Sequence, residues 1–407
     1  MRLIYKRCAG LDVHLKTVVA CARICDGALF QQEVRTFRTT VAGLSALSDW
    51  LESFGVTHAV MESTGIYWQP VWHVLSPRVE LMLSNAKHVK NLPGRKTDVN
   101  DATWLAELLA HGLVRGSFVP PPAIQEARDL TRTRSQLTRE IGRHTQRIQK
   151  TLEKGNIKLT TVLTHVLGVT GRLILEALIA GETDVDRLLM LRRGRIKATS
   201  EEMREALRGY LTENHRFLLK AHLNHVEGLE RTIQSIDARL EEVLRPFRAS
   251  LDLLVTVPGV SHTVASIVIA EVGDDMTRFP TDAQIVSWGG LCPGNDESAG
   301  KKRSSRTRQG DTWLKTALVQ AAWAATRKKD SALRAKYLRL KARRGDKKAI
   351  VAVAAELLSS IYYMLLRREP YKDRLPAPDV QHKQHTTRRL VSRLKNLGFE
   401  VQLRPAA

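Results

Sequence analysis

Apolar positions divide the first 120 residues into short strand-like runs separated by helix-spaced segments. Cys8-Ala-Gly-Leu-Asp12-Val-His14 is an apolar run that reaches an acid near its end. Lys16 to Ile24, rich in Val, Ala and Ile, predicts a second strand. Asp26-Gly27 is a hairpin signal, and Ala28 to Phe37 returns as a third strand. Leu44, Leu47, Trp50, Leu51 and Phe54 recur at helical spacing, which predicts a helix over Val41 to Phe54. Thr57 to Met61 is a further strand that runs into Glu62, and Val79 to Leu83 is another. In Lys87 to Leu109, Pro93 and Gly94 break the chain. The run Ala102, Leu105, Ala106, Leu108, Leu109 then predicts an amphipathic helix with Asp98 at or near its start.

Three meandering strands followed by helix, strand, helix, strand and helix is the order of a ribonuclease H-like fold. In that topology the first and fourth strands are neighbours, so Asp12 and Glu62 meet at one sheet end. The last helix brings Asp98 and Asp101 towards them. Asp98 and Asp101 are three residues apart and so share a helix face. Four converging carboxylates suit a two-metal site acting on a phosphodiester. Taken singly, each acid has a plainer account: Asp12 as a strand-end turn residue, Glu62 as a solvated helix entry, Asp98 and Asp101 as an N-cap with an acid in the first turn. The joint pattern favours the metal site. His14 reads as a strand-face histidine before a neighbour of the metals, and Tyr67, Trp68, Trp72 and His73 read as core before base-stacking residues.

Beyond Pro120-Pro121-Pro122, a stiff linker and domain boundary, the pattern turns helical. Leu130, Leu137, Ile141 and Ile148 lie near heptad spacing in Ala123 to Lys154, and a second tract covers His215 to Phe247. The two predict an antiparallel coiled coil or a dimerisation arm. Leu253 to Ala265, with Pro258-Gly259 at its centre, resembles a helix-hairpin-helix that grips a phosphate, or a plain turn between packed helices. Trp288 to Gly310 is a small, polar, basic loop containing Ser298. Asp311 to Thr326 is a helix, Arg334 to Lys348 a basic run, and Ala349 to Arg368 an apolar helix. From Tyr371 onward the polar tail, with His382 and His385, reads as a loosely ordered arm without a metal site. The expected domains are 1–120, 121–248, 249–370 and 371–407.

Charge narrows the function. The 407 residues carry 64 Lys+Arg against 42 Asp+Glu, a net charge of +22. That excess argues for a nucleic-acid partner ahead of an anionic membrane. No apolar run reads as membrane-spanning, and the N-terminus lacks a signal-peptide core, so the expected location is the cytoplasm of a bacterium or archaeon, near its nucleoid. Cys8, Cys21, Cys25 and Cys292 have no zinc-ligand spacing and read as reduced, mostly buried thiols. The expected phosphate contacts are Lys96 beside the acids, Arg132, Arg139 and Arg143 on the long helix, and Lys301, Lys302, Arg303, Arg306 and Arg308 in the serine loop. There, a hydroxyl can attack phosphorus if cations neutralise the developing charge. Ser298, Ser304, Ser305 and Thr307 are all candidates, and a phosphate-binding loop with no covalent step is the alternative.

Gly10-Leu-Asp12-Val-His14, Met61-Glu62-Ser63-Thr64-Gly65, Lys96-Thr97-Asp98-Val99-Asn100-Asp101-Ala102, Val257-Pro258-Gly259 and Gly290-Leu-Cys-Pro293 to Gly310 occur in the same order in one family. By these motifs the chain resembles the insertion-sequence one-ten (IS110) transposases, especially their eleven-eleven branch, over nearly its whole length. The resemblance implies a DEDD recombinase: a RuvC-like domain whose Asp12, Glu62, Asp98 and Asp101 bind Mg²⁺, a central coiled coil, and a mainly helical C-terminal transposase domain. There Ser298 forms a covalent link to DNA. It also implies a bridge RNA with loops for donor and target DNA. Homodimers would pair into homotetramers, so that acids and serine from different subunits meet. The competing functions are a RuvC-like junction-resolving nuclease that uses only metal and water, and a non-enzymatic nucleic-acid scaffold.

Overall fold

The computed structural model describes residues 3–403 apart from 27–28, 64, 85–100, 115, 118, 295, 299–300, 305 and 374–379. They form two compact units, Met1–Val119 and Pro120–Ala407.

In the first unit, strands β1 (Arg7–Val13), β2 (Thr17–Asp26) and β3 (Leu29–Arg38) form the meander. Helix α1 (Val41–Ser53), strand β4 (His58–Glu62), helix α2 (Trp68–Leu75), strand β5 (Glu80–Ser84) and helix α3 (Asp101–Ala110) follow. The sheet order is β3-β2-β1-β4-β5. β1 runs antiparallel to β2 and parallel to β4, and β4 runs parallel to β5. This mixed α/β arrangement is the strand order expected for a ribonuclease H-like domain.

Both faces of β1 are covered, and its period of two assigns residues to them. Ala9, Leu11 and Val13 pack with Leu44, Leu47 and Leu51 of α1 and with Val71 and Leu75 of α2. Cys8 packs with Leu105, Leu108 and Leu109 of α3 on the opposite face. The Cys8 Sγ donates to the Ala106 carbonyl at 3.5 Å, and burial pushes this thiol up to about 12. At Gly10 the helix comes closer still. A Cβ there would stand 2.0 Å from the Ala102 carbonyl oxygen and 2.5 Å from the Ala106 nitrogen. Only glycine permits the contact. At the helix's far end the Ala110 carbonyl accepts from the Ile4 and Tyr5 amides, so α3 runs antiparallel to β1.

The second unit opens with α4 (Pro122–Lys154). Pro122 is therefore not linker but the first residue of a helix, a position where its missing N–H costs nothing. Short helices α5 (Leu159–Val162), α6 (Val169–Ala180), α7 (Val185–Met190) and α8 (Ser200–Leu207) pack on Ile148, Leu152 and Leu219. The chain returns along α9 (Glu213–Val243). Arg134–Asp237 at 2.6 Å, Glu126–Arg239 at 2.6 Å and His144–His222 at 3.2 Å fix α4 and α9 as an antiparallel pair within one chain.

Next come α10 (Arg248–Val255), α11 (His262–Val272), α12 (Asp282–Trp288), strands β6 (Asp296–Ser298) and β7 (Lys301–Ser304), α13 (Thr312–Ala325), α14 (Ala332–Arg344), α15 (Asp346–Arg367) and α16 (Val380–Asn396). α15 corrects one expectation, since by length and composition it is apolar enough to cross a membrane. Ten of its residues, from Ala349 to Leu365, are buried, all of them in this unit's core. The tail is corrected too: residues 380–396 form a helix.

The Gly10 contact predicts opposite outcomes for two glycine substitutions. Gly10→Ala must displace α3 and destabilises the fold by about 3 kcal/mol, the upper end of overpacking costs. Gly142→Ala, in open space on helix α4, stabilises it by about 1 kcal/mol. Urea denaturation of both variants checks this, and equal effects would contradict the packing account.

Candidate active site

Leu11 of β1 pairs in parallel with Met61 of β4, so Asp12 and Glu62 occupy the next positions on adjacent strands, about 4.8 Å apart in backbone spacing. Alternation places Asp12 on the face of Cys8 and Gly10, and Glu62 on the face of Val60, which packs with α3. Both acids therefore lie on the side of the sheet that α3 covers. Because α3 begins beside Gly10 and runs back along β1, its exposed first residue, Asp101, lies at the same end. The backbone thus brings all three acidic positions to one end of the sheet, where the positive end of the α3 dipole favours anionic groups. His14, just beyond β1, has Nε2 3.0 Å from Asp12 Oδ2.

Asp98 and Lys96 lie outside the described residues. Among the described residues no group of three or more His, Cys, Asp or Glu side chains forms a metal-ligand set by itself. The chemistry of these acidic side chains, carboxylate oxygens without thiolate, fits a hard divalent cation.

The aromatic residues after Glu62 divide in two. Trp68 and Trp72 meet edge-to-face at 6.0 Å and pack on the sheet core. Ile66 and Tyr67 are exposed, and the Tyr67 ring lies over Gly65.

In the second unit, the expected serine loop is a β-hairpin. β6 and β7 pair antiparallel, and Ser298 is opposite Lys301 at the tip. The two ends of the hairpin are joined to each other through backbone. The Gly294 amide donates to the Arg306 carbonyl at 2.8 Å, and the Arg308 amide to the Cys292 carbonyl at 2.9 Å. Gly290 has a φ of +67°, and a Cβ on Gly310 would stand 2.3 Å from its nitrogen. These two glycines let the ends of the hairpin close. Among the competing hydroxyls, Ser304 accepts from the Arg306 amide and Thr307 accepts from Lys315 Nζ at 2.6 Å, while Ser305 lies outside the described residues. Arg306 and Arg308 are exposed, and Lys301, Lys302 and Arg303 lie on β7.

Arg132 was expected to contact phosphate and does something else. Its Nε and Nη2 each donate at 2.8 Å to the fully buried Glu271 carboxylate, and Asp311 lies 3.3 Å away. Arg128 approaches the same carboxylate at 3.1 Å. Burial pushes the Glu271 carboxyl up from its ordinary range, against the opposing pull of Arg132. Asp311 also caps α13, accepting from the Leu314 amide at 2.7 Å. The network ties α4 to α11 and to the helix that follows the hairpin, which satisfies the Arg132 charge inside the protein. No sequence motif signals this role. Arg139 and Arg143 on the same helix are exposed, and the Arg139 guanidinium lies 4.8 Å from the Trp313 ring centre. The Pro258-Gly259 turn between α10 and α11 is pressed against α13, since a Cβ on Gly259 would stand 2.3 Å from the Ala321 carbonyl oxygen.

Comparison with known proteins gives two family matches. Residues 9–157 match a transposase model for DEDD enzymes of IS110 elements, and residues 251–338 match the model described as transposase IS116/IS110/IS902 family. The two do not overlap, and together they span more than half of the chain. The chain belongs to the IS110 transposase family. IS110 transposases cut and rejoin DNA strands, and the chain is such an enzyme. A probable family 20 transposase from Pseudomonas aeruginosa is 26% identical over 284 residues, covering 68% of this chain and 73% of that protein. An uncharacterized 43.6 kDa protein of insertion element IS110 from Streptomyces coelicolor is 30% identical over 146 residues, 35% of each chain. The transposase for insertion sequence element IS1111A from Coxiella burnetii is 33% identical over 121 residues, covering 29% of this transposase and 33% of its own length.

The two arginine environments predict different phenotypes. Arg132→Ala leaves Glu271 without its bidentate partner and destabilises the fold by about 3 kcal/mol, the lower end for a broken buried pair because Arg132 is partly exposed. Arg143→Ala leaves stability unchanged and lowers the slope of log affinity for DNA against log salt by about 1. Denaturation and binding titrations at several salt concentrations separate the two, and the reverse pattern would overturn the assignment.

Proposed function

We propose that this transposase uses Asp12, Glu62, Asp98 and Asp101 to hold Mg²⁺ and Ser298 to attack the scissile phosphate. What supports this reading is the β1–β4 register, which sets Asp12 and Glu62 at neighbouring strand positions, together with the Gly10 contact, which starts α3 and its Asp101 at the same end of the sheet. These acids would hold a divalent cation, which would supply Lewis-acid neutralisation of charge that builds on the phosphate oxygens. The Ser298 oxygen bonds to phosphorus as the bond to the departing deoxyribose oxygen breaks. The departing oxygen takes up a proton, and the strand remains as a phosphoseryl ester. Attack on that ester by a second strand's hydroxyl restores the serine and joins the DNA. The phosphodiester energy is retained throughout, so the exchange needs no nucleoside triphosphate. His14 is placed to orient the Asp12 carboxylate, and the basic residues around Ser298, Lys301 to Arg308, neutralise the backbone being cut.

The residues that bear the acids and the serine belong to separate units of the chain. We read the working site as composite, with acids and serine from different subunits of a homodimer or homotetramer, as the family resemblance implies. A bridge RNA pairing with donor and target DNA follows from the same resemblance. The net charge of +22 suits a chain that holds an RNA and two duplexes.

With nicked DNA carrying the joined ends of its own element, the wild-type protein should form a covalent adduct that survives denaturing electrophoresis. Ser298→Ala should abolish the adduct, and Asp12→Asn or Asp101→Asn should slow strand cleavage by about a hundredfold or more. Chelation of divalent cations should stop cleavage. Cleavage that persists in Ser298→Ala but fails in Asp12→Asn would instead mean a metal-dependent nuclease with water as the nucleophile.

A further inference from the structure

A cleft of about 550 Å³ lies between α14, α15 and the segment that follows α15. It falls within the size range of small-ligand sites. None of the candidate active-site residues lines it. One wall is Tyr363, which is 41% exposed on a helix whose ten buried residues lie in the core. Its ring is held in place from behind. The buried Tyr362 ring meets it edge-on at 5.1 Å, and Tyr362 is itself fixed by donating its hydroxyl to the Phe279 carbonyl at 3.0 Å. The Arg367 guanidinium lies 5.0 Å from the Tyr363 ring centre, so an aromatic face and a planar cation form one platform.

The opposite side is formed by the chain after α15. Arg368 takes a left-handed conformation with φ +54° and donates to Ser250 Oγ at 2.7 Å, turning the chain so that Tyr371 closes the cleft. Burial, and then the charges of Asp373 and Glu356, push the Tyr371 phenol up to about 12, so it remains a hydrogen-bond donor. Four cations face the cleft against two carboxylates. Lys336 is paired with Glu356 and Lys372 with Glu369. Arg339 lies at the rim, exposed, with no carboxylate partner among the described residues. An oriented aromatic face beside an unbalanced cation is the pairing that binds a base and its phosphate. A base inside a duplex is stacked on both sides and cannot enter a walled cleft.

We propose that this cleft takes one unstacked nucleotide from a single-stranded segment of nucleic acid, its base against the Tyr363–Arg367 platform and its phosphate towards Arg339. The site is a holding point for a strand rather than part of the cleavage chemistry. RNA and DNA share the ligand chemistry it recognises.

The test is photocrosslinking with oligomers that carry one 5-iodouracil, prepared as single-stranded RNA, single-stranded DNA and duplex DNA, followed by mass mapping of the full-length protein. The expected result is an adduct on Tyr363 with one or both single strands and none with duplex. The RNA and DNA arms identify which strand the site holds. Tyr363→Leu should remove the adduct, and Arg339→Glu should lower its yield about tenfold. Ser298→Ala should leave it unchanged, so this site and the proposed nucleophile stand or fall separately. Circular dichroism confirms that the variants are folded. Adducts confined to other residues, or equal labelling of Tyr363 by duplex, would overturn the proposal.

Discussion

The contact between α3 and β1 at Gly10 governs the first unit. A helix packed on a sheet normally stands off by the depth of the intervening side chains. Here one position has no side chain, and the helix backbone descends onto the strand. The contacts at its two ends, Ala102 beside Gly10 and Ala110 beside Ile4 and Tyr5, set the helix antiparallel to β1. Its first residue, an acid, then arrives where two other acids end their strands. Burial of Leu105, Leu108 and Leu109 holds the helix in that position.

The second unit solves a different positioning problem. A short hairpin with a small polar tip has little core of its own, so its placement depends on its base. Gly290 and Gly310 allow the two ends to approach through backbone, and Asp311 starts α13 directly after the second of them. Arg132 joins that cap to Glu271 from a helix almost 180 residues earlier. A buried ion network of this kind adds little net stability, yet losing one member leaves the others uncompensated. It specifies one arrangement of α4, α11 and α13, and the hairpin that carries Ser298 takes its orientation from that arrangement.

Much of the first unit was legible because period-two and helical apolar patterns are local signals. The strands ending at Asp12 and Glu62 appear within a residue or two of where they were read, and their adjacency follows from the element order. The role of Gly10 was not legible, because nothing in a glycine's neighbours reports how near a helix 92 residues later will come. The second unit was harder to read. Arg132 and Arg143 are alike in sequence, both arginines on a polar helix, and their roles diverge through a partner on another helix, Glu271. The hairpin is not legible in the sequence because its strands are polar and very short, so they carry no apolar alternation. α15 is legible as an apolar helix, and although its length and composition match a membrane span, its packing makes it a core helix.

The account depends on carboxylates from β1, β4 and α3 sharing one divalent cation. The most direct test is a crystal of the transposase soaked with Mn²⁺ and measured for anomalous scattering. The account predicts a peak at the carboxyl end of β1 and β4, within coordinating distance of the Asp12, Glu62 and Asp101 carboxylates. A peak at any other site, or those three carboxylates turned apart with no ion between them, would contradict it.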